Sequence, residues 1–288
     1  MKSILTILSI LSLITISLSR EVSLSAGIGG YNHSQLWSEF TAFKAYHDIG
    51  MITTASILAY YIAEDGSLAA YESGDPTWST EQYQQDMTTK LNLISAPCIY
   101  CDATIGNCQG LSQRLQNLYA NEQAFITDTL NRAKLYNYSG YFIDLEPDDQ
   151  IDPTNVTDFI INWGSALNDY GLTLDVWIGG DTPYDINRLY NSSVVNLVTM
   201  DTYNSNYETF INLAAPLQTS MTDITKLGFG LLTNYGKEPK NNTNSTDVTD
   251  ISGIVAWSVL SKVNQLSLWA SHIPPEWYAP LIGFANSK

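Results

Sequence analysis

Eight short apolar stretches, rich in β-branched and aromatic residues, alternate with amphipathic stretches along the 288-residue chain. Alternation of this kind constrains the fold more than any single motif, because strands separated by helices pair in parallel and must be covered by those helices. The pattern predicts strands over 24–28, 55–61, 91–96, 140–145, 172–178, 195–200, 227–232 and 265–269, and helices over 35–47, 80–90, 111–135, 156–169, 186–190, 207–218 and 251–262. In the fourth helix Phe159, Ile160, Trp163 and Leu167 fall on one stripe, and Gly171 suits the position that stops it. Eight strand–helix units in about 270 residues match a closed (β/α)8 TIM barrel of the α/β class. The alternative, a doubly wound open sheet, calls for a glycine-rich phosphate turn, and Gly27-Ile28-Gly29-Gly30 lacks its spacing. Residues 237–250 have no periodicity and read as a surface loop, so one domain over 20–288 is expected.

Ahead of that domain stand Lys2, an apolar run from Ile4 to Leu18 broken only by Ser and Thr, and Ser17-Leu18-Ser19, the pattern of a cleaved secretory signal over 1–19. The competing reading, a membrane anchor, has too short and too hydroxylated a run. Asn-x-Ser/Thr sites begin at Asn32, Asn137, Asn155, Asn191, Asn241 and Asn244, which accords with export. The expected protein is therefore secreted and glycosylated, with no membrane contact after signal cleavage; a monomer is expected, although nothing in the sequence fixes the oligomeric state. In an oxidising compartment Cys98, Cys101 and Cys108 give one disulfide and one spare thiol; Cys101–Cys108 is the pairing taken here, with the other pairings open. With 13 Lys+Arg against 29 Asp+Glu the net charge is −16, which argues against a nucleic-acid or anionic membrane partner. Only His33, His47 and His272 are present, widely spaced, so histidine-based metal or triad chemistry has little material and carboxylates must do the work.

The carboxylates that matter close the fourth strand: Ser139-Gly140-Tyr141-Phe142-Ile143-Asp144-Leu145-Glu146-Pro147. Residues two apart on a strand share a face, so Asp144 and Glu146 point the same way with Cα atoms roughly 6.6 Å apart. Two such acids oppose each other's ionisation, which leaves one protonated near neutral pH and supplies a general acid. In a TIM barrel these strand ends carry the active site. The structural alternative, an acidic turn that caps the next helix or binds a cation through Asp148, Asp149 and Asp152, does not account for two acids inside an apolar strand.

On these residues the chain resembles glycoside hydrolase family 18, the chitinases and endo-β-N-acetylglucosaminidases. Their fourth strand reads Asp-Gly-x-Asp-x-Asp-x-Glu, and 139–146 aligns with it without a gap. Thr54–Tyr60 with Asp65-Gly66-Ser67-Leu68 is similar to the family's second strand and its turn; Asp201-Thr202-Tyr203-Asn204 resembles its sixth-strand motif, and Leu266–Trp269 its eighth strand. Ser139 and Phe142 stand where the motif has its first two Asp, and Asp201 stands where Met or Gln is common.

The resemblance implies a substrate-assisted retaining mechanism on β-linked N-acetylglucosamine glycans, without cofactor or metal. Glu146 would protonate the glycosidic oxygen, Asp144 would orient the acetamido N–H, and Tyr203 would hydrogen-bond the acetamido oxygen. Trp269 would form the floor under the sugar, with Asp201, Asn204 and Tyr31 as further substrate contacts; Asp181, Asn234 and Tyr235 also lie just beyond strand ends. Two other readings compete. One is a glycan-binding protein without turnover, motivated by Phe142 in place of an acid. The other is a metal-dependent hydrolase built on Asp144, Glu146, Asp148 and Asp201.

Overall fold

A computed structural model describes residues 20–27, 33–72, 77, 79–103, 108–147, 150–179, 182–203, 206–233, 250–269 and 272–287. The expected signal segment 1–19, the loop 237–249 and the candidate residues Tyr31, Asp148, Asp181, Asn204, Asn234 and Tyr235 lie outside them.

The strands are β1 (Glu21–Gly27), β2 (Thr54–Ile62), β3 (Leu68–Ala70), β4 (Ile94–Ser95), β5 (Cys98–Asp102), β6 (Gly140–Glu146), β7 (Thr173–Ile178), β8 (Asn196–Thr199), β9 (Leu227–Leu232) and β10 (Gln265–Trp269). The helices are α1 (His33–Asp48), α2 (Thr80–Leu91), α3 (Leu111–Ala120), α4 (Glu122–Tyr136), α5 (Pro153–Asn168), α6 (Ile186–Tyr190), α7 (Tyr207–Ser220), α8 (Ile251–Leu260) and α9 (Tyr278–Asn286). Parallel pairing runs β1-β2-β5-β6-β7-β8-β9-β10 and returns to β1, closing an eight-stranded parallel barrel; β3 is an antiparallel excursion off β2. The fold is the (β/α)8 barrel that the alternation predicts.

Three expectations need correction. The strand placed at 91–96 is displaced: Leu91 ends α2, and after the short pairing of β4 with β2, Pro97 interrupts the run and Cys98–Asp102 carries the barrel strand. Proline has no N–H to give a ladder, so the two pieces pair separately. The helix placed at 111–135 is two, α3 and α4, because Asn121 leaves helical geometry at φ −125°. The pattern also omits α9, which lies against β1 and α8.

Alternation along each strand sorts the core into two compartments. Tyr141, Ile143 and Leu145 of β6 face outward and join the helix-covered core with Val156, Phe159, Ile160, Trp163 and Leu167 of α5. That helix starts where it should: Asp152 accepts from the Thr154 N–H at 2.8 Å and Pro153 occupies the first turn. The inward face packs Phe142, Cys98, Ala96, Trp177 and Val198 into an apolar plug inside the barrel. Beneath it, at the N-terminal end, Asp175 accepts from Asn196 at 2.5 Å and Gln265 at 3.1 Å, with Glu21 beside it. Gly140 is required by a close approach, since a Cβ there would meet the Thr173 carbonyl oxygen at 2.2 Å.

The disulfide is Cys101–Cys108, and Cys98 is free. Strand alternation decides this. Cys101 faces outward toward the loop that carries Cys108, whereas Cys98 faces the barrel interior.

Candidate active site

The C-terminal strand ends surround a pocket of about 250 Å³ lined by Tyr100, Asp144, Glu146, Trp177, Met200, Tyr203, Leu232 and Trp269. Four residues predicted from sequence, Asp144, Glu146, Tyr203 and Trp269, thus meet in one place. They come from β6, the turn after β8 and the end of β10, which are far apart in the chain.

Asp144 is 2% exposed, and burial, then the charges of Glu146 and Asp102, push its carboxyl well above the ordinary carboxylate range. Its Oδ1 has no hydrogen-bond partner among the described residues. Below it the apolar Phe142 ring packs edge-on against Trp177, with centroids 5.9 Å apart. Glu146 stands at the mouth, half-buried. Desolvation raises its pKa first, and then the neighbouring Asp102, which both repels it and hydrogen-bonds with it; Tyr100 pulls it back down through a hydrogen bond. A raised carboxyl holds its proton, the state a general acid requires.

Tyr203 owes its position to two features that the sequence hides. Thr202 Oγ1 donates to the Gly230 carbonyl at 2.8 Å, and the Leu232 N–H donates to the Tyr203 carbonyl at 3.1 Å, so the turn is fastened to β9. Gly230 leaves room for the ring: a Cβ there would be 2.2 Å from Tyr203 Cε1. The buried Tyr203 hydroxyl has no partner among the described residues, and burial followed by the charge of Asp144 holds it well above the ordinary tyrosine value. Trp269 meets Trp177 edge-on at 5.6 Å, and Trp177 meets Tyr203 edge-on at 6.5 Å, so one aromatic wall backs the pocket.

Sequence reasoning passes over Tyr100, Asp102, Trp177, Met200 and Leu232. Trp177 alternates inward on β7 and could be found that way; its buried Nε1–H also lacks a partner among the described residues. Tyr100 and Asp102 are lost because the third strand is displaced. Asp201, expected as a substrate contact, is placed away from the other candidates. The strand ends at Thr199, alternation stops there, and Asp201 is exposed above Gly179, outside the pocket lining. Ser139 lies at the other end of β6, with its Oγ donating to the Ser95 carbonyl at 3.3 Å. No three His, Cys, Asp or Glu side chains among the described residues are grouped to hold a metal ion.

No family model and no curated protein matches the chain. Solved structures do. A chitinase from Chromobacterium violaceum ATCC 12472 superposes with a TM-score of 0.67 at 14% identity, over 93% of this chain and 100% of that one. The GH18 chitinase ChiB from the chitin utilization locus of Flavobacterium johnsoniae gives 0.67 at 10%, over 93% and 94%. The spore cortex-lytic enzyme SleL of Bacillus megaterium QM B1551 gives 0.66 at 12%, over 92% and 74%. At such identities the likeness is one of fold: this chain shares its barrel with GH18 chitinases and a cortex-lytic enzyme.

Proposed function

We propose that the protein is a secreted glycoside hydrolase that cleaves β-linked N-acetylglucosamine-containing glycans with Glu146 as general acid. One observation carries the reading. Around a single pocket, three buried polar atoms wait for partners among the described residues: the Asp144 Oδ1 acceptor, the Tyr203 hydroxyl and the Trp177 Nε1–H donor. Buried polar groups are rarely left unpaired, and an acetamido group offers the complement. Its N–H would go to Asp144, and its carbonyl would accept from Tyr203 or Trp177. The pocket is smaller than the roughly 300–1,000 Å³ that holds a drug-sized ligand, so it suits one sugar ring with the chain continuing outside.

In that pose Glu146 gives its proton to the glycosidic oxygen while the acetamido oxygen bonds to C1 and the C1–O bond to the leaving sugar breaks; water then bonds to C1, the C1–acetamido oxygen bond breaks, and the water's proton passes to Glu146. Asp144 holds the acetamido in line by accepting its N–H. Trp269 offers an apolar face to the C–H side of the ring. Export is supported by the 1–19 pattern and by exposure of Asn137, Asn155 and Asn191, the sequon asparagines among the described residues.

The test is turnover of fluorogenic di- and tri-N-acetylchitooligosaccharides by the full chain, with Glu146→Gln as control. Loss of turnover in the variant with binding retained is expected. Metal dependence, tested by chelation, would redirect the mechanism to a cation. The second reading, glycan binding without turnover, is favoured by the Phe142 ring beneath Asp144, where no group can share its proton; binding by the wild type with no hydrolysis would establish it.

A further inference from the structure

A carboxylate outside the sequence motif faces the general acid. Asp102 closes β5, and in the parallel register of β5 with β6 it is the direct partner of Glu146. Adjacent strands run about 4.8 Å apart, and both side chains alternate into the barrel mouth, so the two carboxyl groups are adjacent. Asp102 is 7% exposed. Its place is fixed from several directions: the Ala103 N–H donates to the Glu146 carbonyl at 2.9 Å, the Tyr71 hydroxyl donates to the Tyr100 carbonyl at 2.8 Å, and the neighbouring Cys101 is bonded to Cys108. Tyr100 Oη donates to Asp102 Oδ2 at 3.1 Å and is also within hydrogen-bond reach of Glu146. A buried carboxylate and a phenol on the adjacent strand, both within reach of the acid, make a unit that can serve it in two protonation states.

We propose that Asp102 and Tyr100 are positioning residues for Glu146: Asp102 accepts the hydrogen of the protonated Glu146 carboxyl, and Tyr100 transfers its hydrogen bond from Asp102 to Glu146 once that proton has left. This rests on the reading of Glu146 as a general acid. Before reaction the Asp102 charge keeps Glu146 protonated. When the proton passes to the glycosidic oxygen, Glu146 becomes an anion beside an anion. Tyr100 then supplies the donor that holds it, and the repulsion favours recovery of a proton from the water that attacks C1. Asp102 itself neither gains nor loses a proton. Among the described residues the titratable groups facing Glu146 are Tyr100 and Asp102 from β5, Cys98 at the other end of that strand, Asp144 from its own strand and Tyr203 from the turn after β8. Of these described groups, Asp102 and Tyr100 have both the register and the hydrogen-bond reach to exchange partners with it.

The two variants should act in opposite directions. Asp102→Asn removes the repelling charge, so the alkaline limb of the pH–kcat/KM profile should move down by about one pH unit while the acidic plateau stays within about twofold. Tyr100→Phe removes the donor that favours the Glu146 anion, so the limb should move up by roughly half a pH unit while kcat falls about tenfold with KM little changed. A purely structural role would lower both profiles at every pH without moving either limb. Titration of the Glu146 carboxyl by ¹³C NMR on the intact chain, assigned with Glu146→Gln, gives a readout without substrate. If Glu146 titrates lower in Asp102→Asn but no glycan is turned over, the pair stands and the glycosidase reading falls. If glycans are hydrolysed and neither variant moves the limb or the NMR titration, the proposal is overturned and the glycosidase reading survives. Should Asp102→Asn fail to fold, Tyr100→Phe alone decides by the same two measurements.

Discussion

Gly230→Ala tests whether the site depends on the packing that places Tyr203. A Cβ at this position would lie 2.2 Å from Tyr203 Cε1, 2.6 Å from Cδ1 and 2.9 Å from the Thr199 carbonyl oxygen. Ordinary contact begins near 3.4 Å, so the ring must retreat by roughly 1 Å, because the other neighbour of the new Cβ, the Thr199 carbonyl, is backbone and gives little. Misplacing a substrate-positioning group by about 1 Å costs on the order of 10²-fold in rate, while overpacking costs about 1–3 kcal/mol of stability. Hydrolysis should therefore fall about 100-fold, with a destabilisation of about 2 kcal/mol measured by chemical denaturation. Because the loss runs through Tyr203, it should not add to that of Tyr203→Phe: the double variant should be close to the worse single variant. Gly228→Ala is the control, since its Cβ would meet Gln265 and Val198 side chains at 3.1–3.2 Å and not the pocket. Retained activity in Gly230→Ala, or rate losses that multiply in the double variant, would refute the placement of Tyr203 as the affected group.

The polar cluster at the N-terminal end of the barrel should make stability fall with pH. Burial and the charge of Asp175 push Glu21 from an ordinary value of 4.5 up to about 8, so between those values the native state binds a proton that the unfolded chain has released. Stability is then greatest below about pH 4.5 and lost as pH rises toward 8. The effect is at most roughly 5 kcal/mol, and solvent reaching the partly exposed Glu21 lowers it. Glu21→Gln should flatten the denaturant midpoint between pH 5 and 8.5 relative to wild type; parallel curves would contradict this. Opening the disulfide by Cys101→Ser with Cys108→Ser frees a loop of 7 residues' separation. Chain entropy puts the loss at about 2 kcal/mol, and a displaced β5 end should also lower turnover. An unchanged melting temperature would count against the staple.

Much of the fold is legible because hydrophobic periodicity is a local property. The inward–outward alternation of 140–146 and the stripe of α5 can be read without any neighbour, and strand-end acids within an apolar run point to chemistry wherever the strand sits. The third strand is illegible for an equally local reason: Leu91 to Tyr100 is one apolar stretch with a proline in it, and periodicity cannot say on which side of Pro97 the barrel strand falls. That ambiguity hides Tyr100 and Asp102. Asp201 shows the converse: alternation carried on past Thr199 would turn it inward, but β8 stops at Thr199.

Spacing along the chain sets which residues share a face, so the number of strand–helix units, the closed parallel barrel they imply and the two carboxylates at the end of β6 can all be read from it. That Asp102 lies against Glu146 and that Gly230 makes room for Tyr203 emerge only with the closed barrel. Those are relations between strands, set by register and barrel closure, and one-dimensional spacing carries no information about which residues meet across a hydrogen-bonded ladder.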